Sequence, residues 1–304
     1  MNPISALLAA LGVLTAVFVG LWGRAVASVR GEAPSPATDA RVPTPLGITI
    51  GAVTNFFDTL GIGSFATTTA MFRAFKMVPD RIIPGTLNVG HTLPTVVQAF
   101  FYISVIPVDV TTLVAMIAAA VAGAYFGAGI VAGWSKRKVQ IGMGFALLAA
   151  AVFFTMRNLG LFPAGSSAIG VSGTLLAVAV AGNFLLGALM SLGIGLYAPC
   201  MILVSLLGMS ETTAFPIMMG SCAFLMPVGS LKFITERAYS LRVALGLAIG
   251  GIPGVIVAAK IVKSMDLVTV RWLVIVVVVY TAVTMLYSAF AQQPTAGDDL
   301  PPRA

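Results

Sequence analysis

Apolar residues run along this chain in long charge-free blocks, not in strict alternation with polar ones. The blocks cover residues 4–22, 46–75, 82–103, 111–134, 139–156, 174–207, 213–234, 241–260 and 268–290. Most match the roughly 20 residues that a helix needs to cross a hydrocarbon core. Few show an apolar stripe with a polar back, so the predicted helices are apolar all round and face lipid or one another. The fold class predicted is all-α and polytopic. Block 46–75 is too long for one straight span and is interrupted at Gly61–Gly63, which predicts a broken, U-shaped helix pair. The stretch 24–45 is polar and Pro-rich and reads as a loop, 160–173 is a Gly/Ser break, and Gln292–Ala304 reads as a disordered tail.

The blocks repeat. Thr59-Leu60-Gly61-Ile62-Gly63 returns as Ser191-Leu192-Gly193-Ile194-Gly195 in the second half of the chain. The offset that pairs Gly61 with Gly193 also pairs, without gaps, Met77 with Met209, Pro84 with Pro216, Leu93 with Leu225 and Phe101 with Phe233. Gly123 and Gly127 match Gly250 and Gly254 at a slightly shorter offset. The organisation expected is an N-terminal transmembrane helix (1–23), a cytoplasmic loop (24–45), two membrane repeats (46–160 and 170–290) and a tail (291–304).

Loop charges orient the spans. Arg24, Arg30 and Arg41 place 24–45 in the cytoplasm, and Arg73, Lys76 and Arg81 place the next loop there too. Block 46–75 must then enter the membrane and return. Lys136, Arg137 and Lys138 follow two further crossings on the inside. A second half that starts outside and runs inverted puts Arg237 and Arg242 inside, and leaves Lys260, Lys263 and Arg271 outside against the charge rule. Inverted repeats are a common transporter plan.

Composition sharpens the class. The chain is 59% hydrophobic and 9% charged, whereas soluble domains are about a quarter charged. The net charge of +7 sits in the short loops and sets orientation, so nucleic acid is not an expected partner. Cys200 and Cys222 lie in apolar blocks and imply neither a disulfide framework nor a metal site. The block at Met1–Trp22 has no basic residue before it and reads as a first span, although Ala25-Val26-Ala27 resembles a signal-peptidase site. No P-loop is present, which argues against an ATP-driven pump on this chain alone.

Both Gly61–Ala66 and Gly193–Ala198 fit G-x-G-x-x-A. A nucleotide site needs that pattern between a strand and a water-exposed helix, and both copies lie in charge-free blocks. No cofactor is expected. Helix breakage is the better account: glycine lets the backbone leave helical geometry and approach a ligand. The half-helix after the break then presents its free N–H groups and positive dipole end to an anion. Close-packing glycine is the alternative. The expected anion site uses Gly61, Gly63, Ser64, Thr67 and Thr68 from the first break and Gly193, Gly195, Tyr197 and Cys200 from the second.

Asp58 lies just before the first break, near mid-membrane, and is a functional candidate by default. A helix cap is its plainer role. Block 82–103 is the one amphipathic span: Asn88, His91, Thr92, Thr95, Gln98 and Tyr102 recur at three- and four-residue spacing. Asn88 and His91 are candidate anion contacts, and Asp58 and His91 are candidate proton carriers. A neutral buried His91 bonded to a backbone carbonyl is the plainer alternative. The second half carries Gly220, Ala223, Pro227 and Ser230 at matching places, while Lys232 and Glu236 form an interfacial i, i+4 pair.

With its duplicated apolar halves, GIGSF at 61–65, GIGLYAP at 193–199 and Gly-rich later spans, the chain resembles the sulfite exporter TauE/SafE family (TSUP permeases) over about residues 46–290. Ser64 and Phe65 stand where that family tends to have further glycines, and the N-terminal helix is an addition. The resemblance implies a secondary transporter of the bacterial inner membrane. It also implies sulfite, sulfonates or related sulfur anions as substrates, and broken segments beside their path. The expected partners are a small anion and the lipid bilayer, with a homodimer left open. A passive anion channel is the alternative reading: it lacks rings of like charge, but the repeat fits it as well. A rhomboid-type protease would want a Gly-x-Ser-Gly nucleophile with a membrane His, but Ser64 is followed by Phe65 and His91 has no obvious serine. An intramembrane aspartyl protease would want two aspartates in spans, and only Asp58 qualifies.

Overall fold

The computed structural model describes residues 2–28, 42–79, 82–127, 136–159, 167–190, 195–264 and 267–291. Eleven α-helices lie among them: α1 (Pro3–Ser28), α2 (Pro45–Thr59), α3 (Ser64–Ala74), α4 (Ile83–Val105), α5 (Val110–Ala122), α6 (Lys136–Asn158), α7 (Gly173–Met190), α8 (Tyr197–Leu206), α9 (Ala214–Thr235), α10 (Leu241–Ser264) and α11 (Leu267–Ala291). A π-helical turn, Gly123–Gly127, continues α5, and a 3₁₀ turn, Glu211–Thr213, leads into α9. Block 46–75 is therefore two helices, and so is block 174–207. Helix α1 runs to Ser28 and takes Arg24 into the helix. Residues 29–41 and the tail from 292 lie outside the described residues.

Local chemistry fixes the ends. Thr44 caps α2, its Oγ1 accepting from Gly47 N at 3.1 Å, and Pro45 opens the helix where a missing N–H costs nothing. Helices α2, α3, α8 and α9 close alike, with one bond back five positions and one back three. The residue at the left-handed position is Gly61 (φ 96°), Lys76 (φ 51°), Gly208 (φ 81°) and Arg237 (φ 53°), respectively. Pro94, Pro227 and Pro253 sit inside α4, α9 and α10, as membrane helices tolerate.

The chain forms two compact units, Met1–Val110 with Met219–Ser264, and Thr111–Met218 with Met265–Ala304. In the first, α10 lies along α2 so closely that backbone meets backbone. A Cβ on Gly250 would strike Ile48 O, one on Gly254 would strike Ala52 O, and one on Gly251 would come within 2.5 Å of Asn55 Nδ2. Helix α4 packs on the same α10, with Gly90 against Ala244 and Leu247. Ile50, Phe72, Val78, Ile83, Leu87, Val243 and Leu247 close the core among α2, α3, α4 and α10. Phe18 and Trp22 of α1 join Val89, Tyr239, Leu241 and Ala244.

In the second unit the end of α5 lies along α7 in the same way. A Cβ on Gly123 would strike Phe184 O, and one on Gly187 would strike Ala120 O. Asn183 Nδ2 donates to Met116 O at 2.7 Å across this pair. Helix α6 pairs with α11, where Gly144 meets Leu286 and Arg137 Nε donates to Ala289 O at 3.0 Å.

Among the described residues, four helical stretches are long and apolar enough to cross a membrane: Pro3–Ala27, Gly173–Met190, Glu211–Thr235 and Leu241–Ile261. Outward faces are greasy. On α11, Val276, Val279, Val283, Tyr287 and Phe290 form an exposed stripe at helical spacing, with Tyr287 74% exposed. Water would penalise such a stripe, whereas lipid does not. The buried interior of the first unit is unusually polar instead: Thr54, Asn55, Asp58, Thr59, Ser64, Thr68, Thr86, His91, Thr92, Thr95 and Gln98. Association with a lipid bilayer accounts for this inside-out distribution.

Candidate functional site

The first break is a defined backbone structure. Ile62 N bonds Phe57 O at 3.2 Å and Gly61 N bonds Asp58 O at 2.8 Å, which ends α2. Gly61 at φ 96° and Gly63 at φ 84°, ψ 127° then carry the chain through conformations that side chains rarely adopt. Ser64 starts α3 at once, and no side chain caps that N-terminus. Thr67 Oγ1 turns back onto the carbonyls of Ser64 (2.9 Å) and Gly63 (3.3 Å). The break thus sets the negative end of α2, with Asp58 in its last turn, beside the positive end of α3.

Glycine at the breaks does a different job from glycine in the seams. Among the described residues, a Cβ on Gly63 or on Gly195 would meet no atom within 4 Å, while one on Gly123, Gly187, Gly250 or Gly254 would strike a backbone carbonyl. The seam glycines are there for packing. The two break glycines border open space.

Two hydrogen-bond clusters hold the break in place. In the first, Gln98 Nε2 of α4 donates to Asp58 Oδ2 at 2.9 Å and to Thr59 Oγ1 at 3.1 Å. Tyr102 OH donates to Thr59 O at 2.8 Å, which occupies a carbonyl that the end of α2 would otherwise leave open. Asp58, Thr59, Gln98 and Tyr102 are all buried. In the second, fully buried His91 lies between Asn55 of α2 (Nδ1···Oδ1 3.1 Å) and Thr68 of α3 (Nε2···Oγ1 3.1 Å). The Phe65 ring covers it, with centroids 6.0 Å apart. Thr59 Oγ1 donates to Asn55 O at 2.7 Å and links the clusters.

The polar stripe of α4 divides accordingly. His91, Gln98 and Tyr102 turn to the break. Thr92 faces α9, its Oγ1 3.2 Å from Ser230 Oγ, and Asn88 Nδ2 folds onto Pro84 O at 3.0 Å. Of the residues expected at an anion site, Gly61, Gly63, Ser64, Thr67, Thr68 and His91 share this corner of the first unit, with Asp58, and Asn88 stands apart from them. Gly195, Tyr197 and Cys200 belong to the second unit, where Tyr197 and Cys200 are buried at the start of α8. Gly193 lies outside the described residues. Helix α8 begins at Tyr197, whereas the repeat offset from Ser64 points to Leu196, and no side chain caps it. His91 is bonded to an amide and a hydroxyl, not to a backbone carbonyl.

Sequence reasoning missed Asn55, Thr59, Gln98 and Tyr102 as site residues. Asn55 carried a usable signal, since it lies three positions before Asp58 in an apolar block and so shares its helix face. At the repeat offset, Asn55, Asp58, Thr68, His91 and Gln98 correspond to Gly187, Met190, Cys200, Ala223 and Ser230. The second half therefore lacks the network's carboxylate, imidazole and amides. Among the described residues no His/Cys/Asp/Glu group could hold a metal ion. No family model, curated protein or solved structure matches the chain.

Proposed function

We propose that this chain is a secondary transporter that moves a small anion across the bacterial inner membrane, with protons as the coupling ion. The observation that carries the reading is the first break: an uncapped helix N-terminus at a glycine bordering open space, one helix end away from a buried carboxylate. Open backbone survives at membrane depth only where it lines a cavity or is buried in protein, and half-helix N-termini serve anions there. Ser64 and the N–H groups of the first turn of α3 bind the anion. Asp58, steadied by Gln98, takes up the proton. The resemblance to the sulfite exporter family supplies the substrate class, sulfite or an organosulfonate.

A sequence repeat supports the transporter plan, and the seams favour one register for it. Ala52 and Asn55 face Gly254 and Gly251 in one unit, and Phe184 and Gly187 face Gly123 and Ala120 in the other. Phe184 and Gly187 follow Ala52 and Asn55 at the same offset that separates Gly195 from Gly63. Gly254 and Gly251 follow Gly123 and Ala120 at an offset shorter by a single position. We read this as one helix pair made twice, each copy joining the first long helix of one half to the third of the other. The sequence match of Gly123 with Gly250 is the alternative register, one helical turn away.

Flux into proteoliposomes tests the function. A carrier gives sulfite or sulfonate uptake that saturates with concentration and speeds up under an imposed proton gradient. Flux that rises linearly with concentration and ignores the gradient would favour a channel.

A further inference from the structure

His91 is the chain's single histidine, and its bonding pattern identifies which nitrogen carries the proton. Asn55 Nδ2 donates to Gly51 O at 2.8 Å, and a carbonyl can only accept, so the amide orientation is fixed. Asn55 Oδ1 therefore points at His91 Nδ1, 3.1 Å away, and Nδ1 must bear hydrogen. In a neutral ring Nε2 is then an acceptor, and the Thr68 hydroxyl at 3.1 Å donates to it. The neighbours from the other helices are an amide on α2, and a hydroxyl and a phenyl ring on α3. All are neutral, and the imidazole is fully buried, where an uncompensated charge is expensive. Gly251 of α10 leaves room for the arrangement, since a Cβ there would press on Asn55 Nδ2 at 2.5 Å.

We propose that His91 is a positioning residue, a neutral imidazole locked as the Nδ1–H tautomer that ties α3 to α2 and so sets where the first turn of α3 presents its N–H groups to the anion. This rests on the transporter reading for its consequence, though the lock itself does not. The proton cycle is then left to Asp58. Tautomer and position are coupled because Thr68 lies in the second turn of α3, one turn after Ser64. A ring with the proton on Nε2, the form free histidine prefers in water, would set two acceptors against each other at Asn55.

Nitrogen-15 NMR of the full chain, labelled at histidine and held in nanodiscs at neutral pH, reads the tautomer from one residue. Nδ1 should show the shift of a protonated ring nitrogen and Nε2 that of an unprotonated, hydrogen-bonded one. A proton on Nε2, or on both nitrogens, overturns the lock whether or not the protein transports anything. For the consequence, Thr68→Val removes the donated hydrogen bond at nearly constant shape and Thr68→Ser restores it. Thr68→Val should keep the Nδ1–H form, move the Nε2 shift, and weaken anion half-saturation roughly tenfold with the pH-gradient response retained. Thr68→Ser should recover parental half-saturation. A Thr68→Val protein with parental half-saturation, or one that loses its gradient response, overturns the positioning role. A parent without saturable flux refutes the transporter reading and leaves the NMR result to stand alone.

Discussion

Gly63 and Gly195 look interchangeable in sequence and differ in structure. Gly63 needs a left-handed φ, so any side chain there is strained by about 1–2 kcal/mol before it meets a ligand. Gly195 is not among the positive-φ residues, and a Cβ there meets open space. Gly195→Ala should therefore change the melting temperature little, whereas Gly63→Ala should lower the melting temperature and weaken anion binding in a titration. Parental anion affinity in a folded Gly63→Ala protein would count against the first break as the anion site. The residues of the network were only partly legible. Asp58 and His91 stand out because ionisable groups are rare in apolar blocks. Asn55 is fainter, because its one mark is the three-residue spacing to Asp58, and the Gly251 that makes room for it comes far later in the chain.

At the scale of helices, the seams divide the glycines into those that can change and those that cannot. Gly250→Val would drive a side chain into Ile48 O between α10 and α2, with overpacking of at least about 1–3 kcal/mol. The checkable outcome is loss of the folded peak in detergent chromatography. Gly142→Ala, which meets nothing within 4 Å in α6, is the control and should raise helix stability slightly. Helix ends offer a second test. Lys76 sits at the left-handed closing position of α3, and Gly208 occupies the matching position at the end of α8. Lys76→Gly should stabilise the protein by about 1 kcal/mol in thermal unfolding. A lower melting temperature would show that the lysine's charge matters more than its backbone. The break at Gly61 and Gly63 is readable in sequence because the backbone chemistry is local. Division of the α4 stripe is not, since a three- and four-residue spacing spans two neighbouring faces and only the packed partners decide which residue serves which. The seam register escaped for a similar reason: identical glycines do not say which carbonyl each one faces.

For the molecule as a whole, length and hydrophobicity made the all-α membrane class plain, while the orientation of the halves depends on a few loop charges that conflict near Lys260 and Arg271. Single cysteines at Pro79 and Thr212, in a background with Cys200 and Cys222 replaced, test the inverted plan. The two positions should label from opposite sides of the membrane, and same-side labelling would remove it. The central claim is that a buried carboxylate beside a helix break couples a proton to an anion. Asp58→Asn keeps an oxygen to accept from Gln98 Nε2, so the break should stay built and anion binding should be retained. The most direct measurement is sulfite or sulfonate uptake into proteoliposomes under an imposed pH gradient, with the parent beside Asp58→Asn. The account predicts that parental uptake follows the gradient and that Asp58→Asn binds the anion but ignores the gradient. Asp58→Asn uptake that follows the gradient as strongly as the parent would contradict it and leave Asp58 a structural cap.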